Sequence, residues 1–443
     1  MNPAWKIAPL DIPLSDPDLT SGAAVFPDEL RNNEWFRRRG KSKDNEKHGD
    51  FESLKEFITE YLYRNNNRDY FPVRDILIKI HQYLIAKFDI DGFRIDTIKH
   101  IEREFELVFG NAIREFACTI GKSNFFTFGE AKSGDEKTLV AYTGRYASEK
   151  EDMMGLDSTL DFPLMWKLQS VCKGAAPPSE LANLFEYRKR VLKGETNDGK
   201  VLLSSHGEAG RFYIIKLDNH DEKRRFRYCP IENEINTPYL YDRQVTIGLS
   251  CISALLGIPC IYYGTEQGFR GAAKYDNEDG ADWYVREALW GKPGIPFDRT
   301  NSFYVELKKI LKLRATIPAM RYGRQYFRPI SGNDYEFGIS DFNDGVISFS
   351  RILYDMEIVI IANIAITQER HVSVIVDYDL NPTNGKRYSI AYSNFGNNAT
   401  GPDNLQEKNV GAVRVHEPNG DETNGPIRYL PVHLKPMEVQ ILV

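Results

Sequence analysis

The chain has 443 residues, of which 42% are hydrophobic and 27% charged, and a formal net charge of −6. That length is too great for one core, so two or three domains are expected in a globular protein of ordinary composition. The negative balance argues against nucleic acid or an anionic membrane as partner, and no apolar run is long enough to span a bilayer.

Residues 1 to about 50 are polar and irregular, rich in Pro, Asp, Arg and Lys, and do not read as a self-sufficient domain. "RDILIKIHQYLIAKF" (74–88) has helical spacing, with Ile76, Ile80, Tyr83 and Leu84 on one stripe. "FDIDGFRID" reads as a strand and "IKHIEREFELVFGNAIREFACTI" as an amphipathic helix. "NFFTFGEA" (124–131) is a strand, "DEKTLVAYTGRY" a helix, and "LDSTLDFPL" (156–164) a short strand end. A helical stretch is expected from Met165 to about Leu192. "RFYIIKLDNHD" (211–221) is a strand, "YDRQVTIGLSCISALL" a helix, and "GIPCIYYGTEQG" (257–268) a strand and loop. "SFYVELKKILKLRATI" (302–317) closes the series as a helix. Five strand–helix units in alternation predict a parallel sheet with crossover helices. After Tyr326 the pattern turns β-rich, in "GVISFSRIL", "EIVIIANIAI", "RHVSVIVDY", "KRYSIAYS" and "MEVQILV", which predicts a separate all-β sandwich.

The five cysteines, Cys118, Cys172, Cys229, Cys251 and Cys260, are scattered and form no CxxC, so neither a disulfide framework nor a zinc site is expected. Cys251 and Cys260 lie in apolar sequence and read as buried thiols. The N-terminal "MNPAWKIAPLDIPLSDPDLT" has no apolar signal core, so a cytoplasmic location is the expectation.

The chemistry lies at the strand ends. In "GFRID", alternation puts Phe93 and Ile95 on one face and Arg94 and Asp96 on the other. Arg94 can keep Asp96 ionised, as a nucleophile requires, or the two can be a structural ion pair. Glu130 follows Phe125, Phe126 and Phe128, so desolvation favours its protonated form, as a general acid requires. Its plain alternative is a carboxylate opening the next helix. "LDNHD" brings Asn219, His220 and Asp221 to a third strand end. Asp221 can stabilise positive charge at a sugar ring or cap a helix, and His220 can bond a hydroxyl or sit satisfied in a core. Three carboxylates at the C-terminal ends of three parallel strands fit retaining glycoside hydrolysis.

"GFRIDTIKH", "FTFGEA", "LDNHD" and "GIPCIYYGTEQ", in that order, resemble signature segments on the fourth, fifth, seventh and eighth strands of the α-amylase family of glycoside hydrolases. "MGLDSTLDFPL" resembles the sixth-strand segment, and "LRATIPAMRYGRQYFRPIS" the passage into that family's C-terminal β domain. The resemblance implies an α/β chain of the (β/α)8 TIM-barrel type with strands four to eight recognisable. A C-terminal all-β sandwich would follow. Domains are then expected at 1–56, a remnant of an inserted domain, at 57–326 and at 327–443. It implies Asp96 as nucleophile, Glu130 as acid and base, and Asp221 as transition-state stabiliser. Arg94 would orient Asp96, His220 would bind the sugar, and Lys99 and His100 would stand near the acceptor. Lys99 and His100 also read as ordinary polar residues opening a helix. The implied substrate is an α-glucan or maltooligosaccharide. Trp283 and Trp290 in "DWYVREALWG" are candidates for the acceptor side or for packing beneath the last barrel loop.

One departure is large. The family's Asp-x-x-x-Asn-His segment at the end of strand three does not occur in the sequence. Strands one to three are therefore expected to be missing, leaving two open sheet edges or a need for a second chain to complete the barrel. That segment also supplies, in many members, an Asn ligand of a structural calcium, so no cofactor is expected here. The rival expectation is an inactive family member with at most weak glycan binding.

Overall fold

The computed structural model describes residues 27–37, 40, 47, 49, 56–65, 68–144, 154–193, 210–222, 224–227, 238–271, 285–290, 297–383 and 388–443. They fall into two compact units, Met1–Leu160 and Asp161–Val443. No helix among the described residues is long and apolar enough to cross a membrane.

In the first unit a short hairpin of β1 (Tyr63–Asn65) and β2 (Arg68–Tyr70) leads into α1 (Pro72–Phe88). Pro72 starts that helix where its missing N–H costs nothing, and Asp89, with φ 57°, ends it. β3 (Gly92–Ile95), α2 (Arg103–Thr119), β4 (Phe126–Gly129), α3 (Glu136–Ala141) and β5 (Ser158–Thr159) follow. β3, β4 and β5 form a parallel sheet in that order, as the alternating pattern predicts. Ile85, Ile98, Phe105, Phe109, Ile113 and Phe125 form the core beside it. The helix predicted at 74–88 is present, but its inner face differs. Leu77, Ile78 and Ile85 pack into the core, while Tyr83 is 58% exposed. Two neighbouring stripes of α1 are apolar, and sequence periodicity alone does not say which one the sheet takes.

In the second unit the predicted single helix from Met165 to about Leu192 is two helices, α4 (Phe162–Cys172) and α5 (Ser179–Lys193). Gly174, at φ 70°, and the Pro177–Pro178 pair break it between them. β6 (Ile214–Lys216), α6 (Pro238–Ala254), β7 (Ile258–Cys260), α7 (Ser302–Thr316) and α8 (Pro318–Tyr322) follow. β6 and β7 pair in parallel, and among the described residues β7 has no other strand partner. Ile258 and Cys260, which share one face of β7, are exposed, which corrects the expectation of a buried thiol at Cys260. Cys172 and Cys251 are buried free thiols, Cys118 is an exposed one, and Cys229 lies outside the described residues.

Asp161 caps α4 by accepting from Leu164 N–H at 3.0 Å and pairs with Arg188 of α5 at 2.8 Å. Both side chains are buried, so neither charge has water to fall back on. Arg188→Met is expected to cost about 3–5 kcal/mol, because it strands the Asp161 charge. Urea unfolding followed by circular dichroism checks this, and an unchanged midpoint contradicts it.

The C-terminal strands are β8 (Arg324–Phe327), β9 (Ile330–Ser331), β10 (Glu336–Phe337), β11 (Val346–Leu353), β12 (Met356–Asn363) and β13 (Arg370–Val376). They continue as β14 (Ile390–Ser393), β15 (Gln406–Lys408), β16 (Arg414–His416), β17 (Glu422–Thr423), β18 (Ile427–Leu434) and β19 (Val439–Leu442). A five-stranded sheet, β14-β19-β12-β11-β8, and a four-stranded sheet, β15-β18-β13-β9, share one core of Val346, Val359, Ile361, Val374, Leu430 and Val432. The predicted sandwich is present, with β10, β16 and β17 as an added small sheet.

Candidate active site

The first cluster stands at the C-terminal end of β3. Parallel pairing sets Arg94 beside Phe128 and Ile95 beside Gly129. Gly92 permits that approach, since a Cβ there would meet the Phe126 carbonyl oxygen at 2.4 Å. Phe93 turns inward, with its ring centroid 5.3 Å from that of Phe125 and 5.2 Å from that of His81. Arg94 and Asp96 face the other way and are exposed, as strand alternation predicts.

Thr97 follows at φ 51°, a conformation unusual for a β-branched residue and one found at functional turns. It ends the strand and opens a 3-10 turn, Ile98–His100, that buries Ile98 against Gly129. Asp96 is left standing at the strand end with 67% of its side chain exposed. Lys99 Nζ donates to the Lys132 carbonyl at 3.3 Å, and His100 N–H to the Thr97 carbonyl at 2.9 Å. Both therefore belong to the turn that leads into α2.

Glu130 is the residue after β4, tied by its N–H to the Ile95 carbonyl at 2.8 Å. Its side chain is buried, and Arg94 Nη2 reaches Oε2 at 2.9 Å. The same nitrogen lies 3.5 Å from Asp96 Oδ1. A buried carboxylate needs such a partner, so Arg94 compensates Glu130 at closer range than it does Asp96. The two contacted oxygens lie no further apart than 3.5 plus 2.9 Å, about 6.4 Å. Sequence reasoning assigned Arg94 to Asp96 alone. Its bond to Glu130 joins residues 36 positions apart and depends on the β3–β4 register.

The second cluster follows β6. The Asn219 side chain accepts from Asp221 N–H at 2.8 Å and closes the turn. Asp221 Oδ2 is 3.2 Å from His220 Nε2, and Oδ1 is 2.8 Å from Arg286 Nη2. Arg286 Nε also donates to the His220 carbonyl at 3.0 Å, so one guanidinium clamps both residues. Arg225 is buried and binds Glu287 at 2.6 Å, the Tyr263 carbonyl at 2.7 Å and the Val285 carbonyl at 3.0 Å. It fixes the segment that carries Arg286 against the loop after β7. Burial pushes the Asp218 carboxyl above its ordinary range, while the Phe226 N–H, at 2.8 Å, and nearby Arg225 pull the other way.

Sequence reasoning missed Arg225 and Arg286. "DEKRR" reads as a solvated charge run, and nothing local in "DWYVREALWG" marks Arg286 as a partner of Asp221. Trp290 is 70% exposed, with its ring edge-on to Phe297 at 5.2 Å, so among the described residues it is not packed beneath a loop. Trp283 lies outside the described residues.

Among the described residues, one group of His, Cys, Asp or Glu has the spacing to hold a metal ion, namely Glu369, His371 and His433. Calcium takes six to eight oxygen ligands, so this imidazole-rich set is not a calcium site.

The family model described as the α-amylase catalytic domain matches residues 60–291, which hold both clusters. An α-amylase of Streptomyces lividans is 27% identical over 325 residues, 68% of this chain and 31% of that protein. A cyclomaltodextrin glucanotransferase of Klebsiella oxytoca is 28% identical over 265 residues, 55% of this chain and 37% of that protein. The chain thus matches about a third of the length of these relatives. The solved α-amylase of Geobacillus thermoleovorans, complexed with acarbose, shares the fold with a TM-score of 0.59 at 21% identity, covering 97% of this chain and 73% of that one. With more than half of its residues inside the family match, and the strand-end motifs among them, the chain belongs to the α-amylase catalytic-domain family of glycoside hydrolases.

Proposed function

We propose that this chain cleaves α-glucosidic bonds with retention, by hydrolysis or transglycosylation, through a β-glycosyl–enzyme intermediate. The observation that carries this reading is the bridge from Arg94 to both Asp96 and Glu130. It brings two carboxylates from neighbouring strand ends to one guanidinium, an oxygen of each within about 6.4 Å of the other, as a nucleophile and an acid acting on one glycosidic bond require.

Asp96 attacks the anomeric carbon and forms an ester bond as the glycosidic bond breaks. Glu130 gives its proton to the departing oxygen and becomes a carboxylate. It then takes a proton from water or a sugar hydroxyl, whose oxygen displaces Asp96 and restores the original configuration. Arg94 reaches both groups, so it supports the charge on whichever of the two is ionised. Asp221, clamped by Arg286, holds ring hydroxyls and stabilises positive charge at the ring, with His220 beside it. Lys99 and His100 serve the acceptor side.

α-Glucans and maltooligosaccharides are the proposed substrates. The names of the relatives, amylase and cyclomaltodextrin glucanotransferase, and the acarbose bound to a structural neighbour support that choice. Whether water or sugar accepts the glycosyl group depends on the loops around the strand ends. We further propose the domain division at 56/57 and 326/327.

Nuclear magnetic resonance of fresh maltooligosaccharide digests tests the reading. The sugar end released by cleavage is expected to appear first as the α anomer, and a β anomer appearing first contradicts retention. The same digests separate a second reading, an inactive glycan binder. Maltooligosaccharide binding without any turnover would support that reading instead.

A further inference from the structure

His371 of β13 directly opposes His433 of β18 in an antiparallel register. Two steps along the same ladder, Ser373 opposes Pro431. Pro431 has no N–H, and its carbonyl accepts from Asp403 N–H at 3.0 Å on the far side of β18. Ser373–Pro431 is therefore a non-hydrogen-bonded pair, and by alternation so is His371–His433, the pair type in which side chains approach most closely. The two imidazoles lie with centroids 3.8 Å apart and planes at 19°. Glu369, just before β13, places Oε2 at 3.0 Å from His433 Nε2. One donor atom from each of the three lies within 4.8 Å of the others. Both histidines border a cavity of about 450 Å³ lined also by Asp334, Asp403 and Ser331.

We propose that Glu369, His371 and His433 form a binding site for a divalent transition-metal ion of the zinc type. Two imidazoles and one carboxylate are a donor set that zinc accepts and that magnesium and calcium do not favour. At zinc bond lengths of about 2.0–2.1 Å, neighbouring ligand atoms in a tetrahedron stand roughly 3.3 Å apart. The Glu369–His433 edge has nearly that length, and a rotation of the His371 ring closes the other two. A surface ion pair explains Glu369 and His433, but gives no role to the second imidazole stacked on the first. Three protein ligands leave a fourth coordination position for water or a small ligand. The bound ion clamps β13 to β18 in their register, at residues outside the 60–291 family match.

The test is a calorimetric titration of the full chain with Zn²⁺ alone, after alkylation of accessible thiols such as Cys118 and Cys260. One equivalent is expected to bind and to raise the melting temperature. His371→Gln and His433→Gln are each expected to weaken binding at least about tenfold, as loss of a direct ligand should, and to abolish the zinc-dependent rise in melting temperature. Their metal-free melting temperatures should stay near that of the parent, which separates lost ligation from lost folding. His416→Gln, a histidine outside the trio, should bind as the parent does. No uptake at submillimolar Zn²⁺, or undiminished uptake by the two variants, overturns the proposal.

Discussion

Asp96→Asn is expected to reduce glycoside turnover by more than about 10³-fold while leaving the protein folded. An amide carries no negative charge and cannot form the glycosyl ester, so the first half-reaction stops. The fold should tolerate the change because the Asp96 side chain is 67% exposed and its ion pair to Arg94 is the longer of that arginine's two. Arg94 keeps Glu130 as its partner at 2.9 Å, so no buried charge is stranded. The expected change in stability is within about 0.5 kcal/mol. Initial rates on maltooligosaccharides, with urea unfolding of the same preparations, separate the two effects. Equal turnover by parent and variant contradicts the assignment of Asp96, and a large loss of stability contradicts its reading as an exposed strand-end group.

Glu130→Gln carries the second large effect. Loss of a general acid is worth typically 10²–10⁴-fold on a substrate whose leaving oxygen must be protonated. A glycosyl fluoride departs without a proton, so its first step should be far less impaired in the same variant. Comparing kcat on maltotriose with formation of the glycosyl–enzyme from α-glucosyl fluoride exposes the difference. An equal loss on both substrates would mark Glu130 as a structural counter-ion of Arg94 rather than an acid. That rival has weight because Glu130 is buried and the Arg94 bond is short. Arg94 itself is about a third exposed, so it can turn to water when Glu130 becomes neutral, and the stability cost should be modest.

Much of the first cluster was legible because strand alternation is a local property. "GFRID" alone predicts which side chains face outward, and the structure agrees residue by residue. What β3 could not reveal was its partner. The Arg94–Glu130 bond requires the β3–β4 register, and no feature of either segment alone encodes it. The same holds for Asp221, whose clamp Arg286 is 65 residues away. Other misses had signals in plain view. Gly174 and Pro177–Pro178 mark the break between α4 and α5. β18 escaped because Pro431 argues against a central strand. The structure accommodates that proline by turning its bondless nitrogen away from β13, beyond the end of β15, where Asp403 meets its carbonyl. Missing β18 also hid the His371–His433 pair, which exists only through that register. At α1 the limit was different. The helix was clear, but two apolar stripes competed for the core and the sheet took the one through Ile78 and Ile85.

The most direct test of the central claim is covalent trapping. In a ring-fluorinated α-glucosyl fluoride the ring fluorine slows both formation and release of the glycosyl–enzyme by destabilising positive charge at the ring, while the fluoride leaving group keeps formation the faster step, so the intermediate accumulates. Mass spectrometry of the treated protein is expected to show one added sugar, and peptide mapping should place it on Asp96. An adduct on another residue, or no adduct under conditions where substrate is turned over, would contradict Asp96 as the nucleophile of a retaining enzyme.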